Sequence, residues 1–401
     1  MFWHNESRPL RILIVMYIAL WCAISSQQES AAASELPDPT RPGPYPVGVT
    51  TMLLVDHSRT DATTNGPRSL VTEVWYPATD DSRDLPKNKF SDFFLNGSNP
   101  KLNGAIMLAF NIDLKQMDST FKNFAVRDAR VRDGVFPLIV FSHGNGGIRS
   151  QNTFWCEHMA SHGYFVMSPD HTGNSAVTAI DGDVIVYNKQ GRSAAALDRP
   201  RDLMFLIDAM TRMNAGADSR FLGKVNLEHI GASGHSFGGY AAAAVADADP
   251  RIDAIAPMAA VGRERKNYTC PAMVLLGTED ATIKLEGNAQ IRKYYEESKG
   301  PHYLVEIVKG GHYSFTEMYQ INPNFGDGVG TGKRITNGEE ITYTPRDRAF
   351  EIINSYTTAF LGRHLKGLTG YDEYLATNHY PDDIIYKVGL PVEPAETPSA
   401  P

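Results

Sequence analysis

From Phe136 to Val308 the chain alternates short, continuously apolar runs with longer stretches whose apolar residues recur every three or four positions. The runs "FPLIVFS", "YFVMSPD" and "HIGAS" are too short for buried helices, and this length predicts strands covered on both faces. Between and after them, "QNTFWCEHMASHG", "RPRDLMFLIDAMTRM" and "SFGGYAAAAVA" predict helices. Further strands are expected at "IDAIAPM", "AMVLLG" and "YLVEIV", the last following a helix over Ala289 to Glu297. A final amphipathic helix is expected from about Pro345, a residue favoured in a first helical turn, to Leu365. Buried strands separated by helices predict an α/β fold: a mostly parallel central sheet with helices on both faces.

Upstream, "TTMLLVD" from Thr50 and "SLVTEVWYP" from Ser69 predict two more strands, whereas "LPDPTRPGPYP" is too rich in proline for either element. The pattern divides the chain into a proline-rich linker at 34–46, one domain at 47–366 and a C-terminal extension at 367–401. Within the domain, 77–132 reads as an insertion whose "NKFSDFFLNGS" and "AIMLAFNI" cover either a cleft, as a lid, or the sheet edge.

At the N-terminus Arg8 and Arg11 precede an apolar run from Ile12 to Ile24, polar "SSQQES" and then Ala31 to Ala33. This order predicts a signal peptide at 1–33 and a secreted or periplasmic mature chain, because the run falls short of the roughly 20 residues a membrane span needs. An uncleaved anchor is the competing expectation. Past the signal only Cys156 and Cys270 remain, no disulfide framework; they either pair or are buried separately.

The sequence has 401 residues, 42% of them hydrophobic, enough for a sizeable core, and a formal charge of -8 without clustered Lys and Arg, which excludes a nucleic-acid footprint. One glycine-rich stretch, "NFGDGVGTGKR", fails as a phosphate cradle: Asp327 and Arg334 stand where a P-loop needs Gly and Ser or Thr. It is expected to be a flexible loop.

The chemistry concentrates in "GASGHSFGGY". Ser236 lies in G-x-S-x-G directly after an expected strand and before an expected helix, the setting of a nucleophile on a sharp turn. Gly234 and Gly238 then allow close backbone approach, and the N–H of Phe237 faces any developing oxyanion. A serine hydroxyl needs a base and an orienting acid. Asp280 in "GTEDATI" and His312 in "KGGHYSF" follow in the required order, each just beyond an expected strand. Asp253 and Glu279 are weaker acids for the role, one at the wrong strand end and one diverging from its neighbour. A second oxyanion donor is expected at the N–H of Asn145 in "SHGNGG". His158 and His162 have metal-ligand spacing, but "HMASH" lacks the Glu of a zinc-protease helix and reads as a surface pair. His171 is placed to line a cleft, and His235 to pack beneath the turn. No metal or cofactor is called for.

"VFSHGNGG", "MASHGYFVMSPDHTGN" and "GHSFGG", with "GPYPVGVTT" and "TEVWYPA" nearer the front, resemble the serine esterase branch of the α/β-hydrolase superfamily. The similarity runs from about Gly43 to Leu365 and is to platelet-activating-factor acetylhydrolases, dienelactone-hydrolase-like esterases and cutinase-like polyester hydrolases. It implies an α/β-hydrolase fold and a serine esterase without cofactor. Dienelactone hydrolases carry cysteine where this chain has Ser236, so their reaction does not transfer. Acetylhydrolases place their acid after the strand that here reads "IDAIAPM"; the polyester hydrolases place it one strand later, where Asp280 stands. The expectation is a secreted hydrolase of carboxylic esters, small or lipid, acting through an acyl-enzyme on Ser236. Phospholipid acyl-hydrolase, polyester hydrolase, peptidase and an inactive binding protein of the same fold are the alternatives.

Overall fold

Each of the six apolar runs between Phe136 and Val308 forms a strand in the computed structural model, which describes residues 36–94, 100–111, 114–262, 269–322, 325–389 and 391. The expected signal at 1–33 lies outside the described residues. In chain order the strands are β1 (Val47–Thr60), β2 (Pro67–Pro77), β3 (Ala125–Arg127), β4 (Phe136–Ser142) and β5 (Phe165–Pro169). A hairpin, β6 (Val177–Ile180) and β7 (Asp183–Val186), follows, then β8 (Val225–His235), β9 (Ile252–Met258), β10 (Ala272–Gly277) and β11 (His302–Ile307). A second hairpin, β12 (Thr331–Lys333) and β13 (Glu340–Thr342), precedes β14 (Ile384–Gly389). Ten strands make one sheet in the order β14-β11-β10-β9-β8-β4-β5-β2-β1-β3. From β5 to β11 every neighbour is parallel, while β2 runs antiparallel to β1 and β5, and β14 antiparallel to β11.

The helices are α1 (Pro100–Phe110), α2 (Leu114–Thr120), α3 (Thr153–Ser161), α4 (Arg192–Arg212), α5 (Phe237–Ala248), α6 (Lys284–Glu296), α7 (Arg346–Lys366) and α8 (Tyr371–Ala376). Side chains alternate across a strand. Leu138 and Val140 of β4 join the buried cluster of α4, α5 and α6, whereas Phe141 packs against Trp155 of α3, which packs with α7. The sheet is therefore covered on both faces.

Four expectations change. Helix α4 begins at Arg192 rather than Arg199, with Pro200 inside it. Proline has no N–H for the carbonyl four residues back, and that oxygen, Ala196 O, takes a long 3.5 Å bond from the Tyr240 hydroxyl of α5 instead. The segment 367–401, expected as an extension, contributes α8 and the edge strand β14. The proline-rich stretch docks on α3: the N–H groups of Gly43 and Tyr45 bond Ser161 Oγ and O. His158 and His162, expected at the surface, are buried beneath it and bond Pro39 O and Arg41 O, and burial pulls their pKa values down to about 3 and 4. In the insertion, β3 extends the sheet beside β1, and Phe110 of α1 packs on Tyr319. Cys156 and Cys270 are buried separately and form no disulfide with each other.

Candidate active site

Parallel strands end together, so the loops after β8, β10 and β11 meet at one edge of the sheet. Ser236 occupies the turn between β8 and α5 with φ 55° and ψ -122°, a left-handed φ that costs a non-glycine residue about 1–3 kcal/mol. The turn is held because Ser236 N–H bonds Met258 O at 2.8 Å, and because a Cβ at Gly238 would overlap Ser142 O and one at Gly234 the Gly238 backbone.

His312 Nε2 lies 2.8 Å from Ser236 Oγ, and its Nδ1 lies 2.7 Å from Asp280 Oδ2. Asp280 is fully buried, its Oδ1 accepting the N–H groups of Thr282 (3.1 Å) and Ile283 (2.9 Å). The rival acids are elsewhere. Glu279 turns to Arg334 Nη1 (3.0 Å) and Ile335 N (3.0 Å), and Asp253, at the start of β9, accepts Ile230 N.

Two residues that sequence reasoning did not single out tie these loops together. Asp327, from the stretch expected to be flexible, accepts Ala281 N (3.1 Å) and His312 N (3.0 Å) at Oδ1, and Thr282 N (2.7 Å) and Oγ1 (2.5 Å) at Oδ2. One carboxylate thus sets the spacing between the Asp280 and His312 loops. Gln151 Oε1 accepts Gly144 N–H at 3.0 Å, so its Nε2 donates to His235 Nδ1 at 3.1 Å. His235 therefore carries its proton on Nε2 and donates it to His312 O at 2.9 Å, while burial holds the ring far below the usual histidine pKa.

Ahead of the Ser236 turn, the loop after β4 has most of its amides committed. Gly144 N bonds Gln151, Gly146 N bonds Asn174 O, and Gly147 N bonds Gly144 O. Among the described residues none accepts the N–H of Asn145, whose side chain is anchored to Tyr187 and Asn174. Phe237 N–H, first in α5, has no partner within the helix.

Behind this loop is a second Ser–His–Asp arrangement: His171 Nε2 to Ser142 Oγ at 2.8 Å, and Nδ1 to Asp202 at 2.9 Å. It is fully buried, Ser142 Oγ is occupied by Arg199, and burial pulls His171 down to about 3, so no ester has access to it. His171 is a buried network residue, not a cleft wall.

A cleft of about 690 Å³ opens at Ser236 and runs along α5 past Phe237, Tyr240 and Ala244 to Asp247, with Arg192, Val261 and Ile283 opposite.

A family model described as platelet-activating factor acetylhydrolase, isoform II, matches residues 30–190, and one described as PET hydrolase-like matches residues 129–326. Among solved structures, a ferulic acid esterase from Streptomyces cinnamoneus is similar, at 25% identity over 82% of this chain and 92% of that one, with a TM-score of 0.63. Sheet order, family matches and this esterase neighbour converge on an α/β-hydrolase fold and a serine esterase: the chain is a carboxylic ester hydrolase.

Proposed function

We propose that Ser236 Oγ attacks the ester carbonyl while His312 Nε2 takes its proton, Asp280 holding the imidazole with its other proton on Nδ1. The N–H groups of Asn145 and Phe237 hold the oxyanion. His312 then protonates the departing alcohol and deprotonates the water that releases the acid from Ser236. Each proton moved has a side chain of this chain to hold it, so the scheme calls on no cofactor. The observation that carries this proposal is the unbroken line Ser236–His312–Asp280 on a serine held at positive φ.

The substrates we infer are short-acyl or soluble esters. Small alanines line much of the cleft, and the charged residues Arg192 and Asp247 interrupt its apolar wall. A continuous apolar wall would add about 0.8 kcal/mol, roughly fourfold in kcat/KM, for each CH2 buried. Aryl esters from acetyl to dodecanoyl test this: kcat/KM is expected to peak at acetyl to butyryl, and a fourfold rise per methylene through octanoyl would replace this proposal with a lipase. A short-acyl phospholipid and a polyester film belong in the same assay. Of the two family matches, the PET hydrolase-like one spans all three proposed catalytic residues.

Export by cleavage near Ala33 is also proposed, and the described residues hold no helix long and apolar enough to cross a membrane. A mature N-terminus near Ser34 by mass spectrometry is expected; an intact Met1 on a membrane-bound product would overturn it.

A further inference from the structure

Arg199 of α4 is fully buried, yet no carboxylate of the described residues lies within ion-pair distance of it. Its guanidinium is spent on neutral acceptors: Asn174 Oδ1 (2.8 Å), Ser142 Oγ (3.1 Å), His143 O, and Gly144 O (2.9 Å). Two further donors meet the same Gly144 carbonyl, the Gly147 N–H at 3.1 Å and the ring of His143. His143 Nε2 accepts the backbone N–H of His171 (3.2 Å), so the ring proton sits on Nδ1 and is donated to Gly144 O at 2.7 Å.

The peptide joining Gly144 to Asn145 is trans and planar, so its N–H points opposite to its C=O. Fixing Gly144 O on the guanidinium therefore turns the Asn145 N–H away from Arg199. Arg199 also lies 4.6 Å from the ring centroid of Phe237, the residue whose N–H is the other oxyanion donor.

We propose that Arg199 is a positioning residue of the oxyanion hole, orienting the Asn145 N–H through the Gly144 carbonyl and setting an unpaired positive charge behind the oxyanion. This rests on the oxyanion assignment made above. A cation on Gly144 O polarises the peptide and makes its N–H a stronger donor. Low local dielectric makes the charge felt at the reacting carbon. Burial lowers the guanidinium pKa to about 9, which leaves it charged at neutral pH. A merely structural arginine would support the loop without favouring an oxygen anion over any other substrate atom.

The distinguishing measurement is the ratio of kcat/KM for an aryl ester to that for its thiono analogue, because sulfur accepts oxyanion-hole hydrogen bonds poorly. Arg199→Lys keeps the charge and loses the fork that spans His143 O and Gly144 O. Arg199→Gln removes the charge and leaves in place the Asn174 amide that anchors Asn145, and it decides the matter should the lysine variant not fold. In each, kcat is expected to fall about 10- to 100-fold, part of the ~10²–10³ that loss of a whole donor costs. KM should stay within about twofold, and the oxo-to-thiono ratio should fall by about tenfold. A ratio within about twofold of wild type in the folded variants overturns the role of Arg199. A wild-type ratio near one overturns the oxyanion assignment itself, and this inference with it.

Discussion

Asp280→Asn separates a tautomer-holding acid from a carboxylate that merely packs, because the surrounding backbone dictates how the amide must sit. Oδ1 accepts two backbone N–H groups, from Thr282 and Ile283, so the asparagine oxygen is held there and its NH2 takes the Oδ2 position, facing His312 Nδ1. A donor now stands where an acceptor is needed. His312 must turn its lone pair to Nδ1 and carry its proton on Nε2, aimed at Ser236 Oγ and unable to take the serine proton. Wrong-tautomer trapping of this kind costs about 10⁴ in kcat in serine protease triads, roughly 5.5 kcal/mol of barrier. Two of the three bonds and the volume are preserved, so folding should survive with a loss of about 1–3 kcal/mol. Steady-state kinetics on an aryl acetate, with melting curves alongside, gives both quantities. Glu279→Gln and Asp253→Asn, whose carboxylates are engaged elsewhere, should stay within about tenfold of wild type. If Asp280→Asn kept more than a tenth of the wild-type turnover, or Asp253→Asn were the crippling change, the acid would be misassigned.

Two further outcomes follow from the same geometry. Asp327→Asn sets an NH2 against either Thr282 N–H or the Ala281 and His312 N–H groups, and displacement of the two loops should lower kcat about 10- to 100-fold with KM within about twofold; unchanged kcat would show that Asp327 does not hold the site. Glu317, buried just past His312, has its pKa raised by burial to about 7, so the stability held by its neutral form is full below pH ~4.5 and is lost as pH rises through about 7. Glu317→Gln cannot ionise and keeps an acceptor for Phe154 N–H, so between pH 5 and 8 its melting temperature should fall less than that of wild type, a difference of at most about 3 kcal/mol; parallel curves would refute it.

Residues whose place follows from a strand end were legible in the sequence. Ser236, Asp280 and His312 each sit just beyond an apolar run, and parallel strands bring such positions together. Residues whose surroundings depend on what covers them were not. Arg199 lies in an amphipathic stretch where a buried guanidinium and a solvated one read alike. Asp327 sits among glycines that signal mobility, and its partners are 15 and 45 or more positions away, a pairing no local pattern encodes. His158 and His162 looked like a polar helix face because periodicity reports a face and not the proline-rich strand of chain that closes over it. The edge strand β14 buries only Ile384 and leaves Ile385, Lys387 and Val388 exposed, too weak a signal to separate from a tail.

The central claim is that Ser236 is an activated nucleophile. A brief reaction with a fluorophosphonate, followed by peptide mass mapping, tests it most directly, since only a serine deprotonated by its base is modified quickly. The expected result is one adduct per chain, on the peptide carrying Ser236, with parallel loss of ester hydrolysis, and no adduct in a folded Ser236→Ala variant. An adduct on another residue, or full esterase activity in Ser236→Ala, would contradict it.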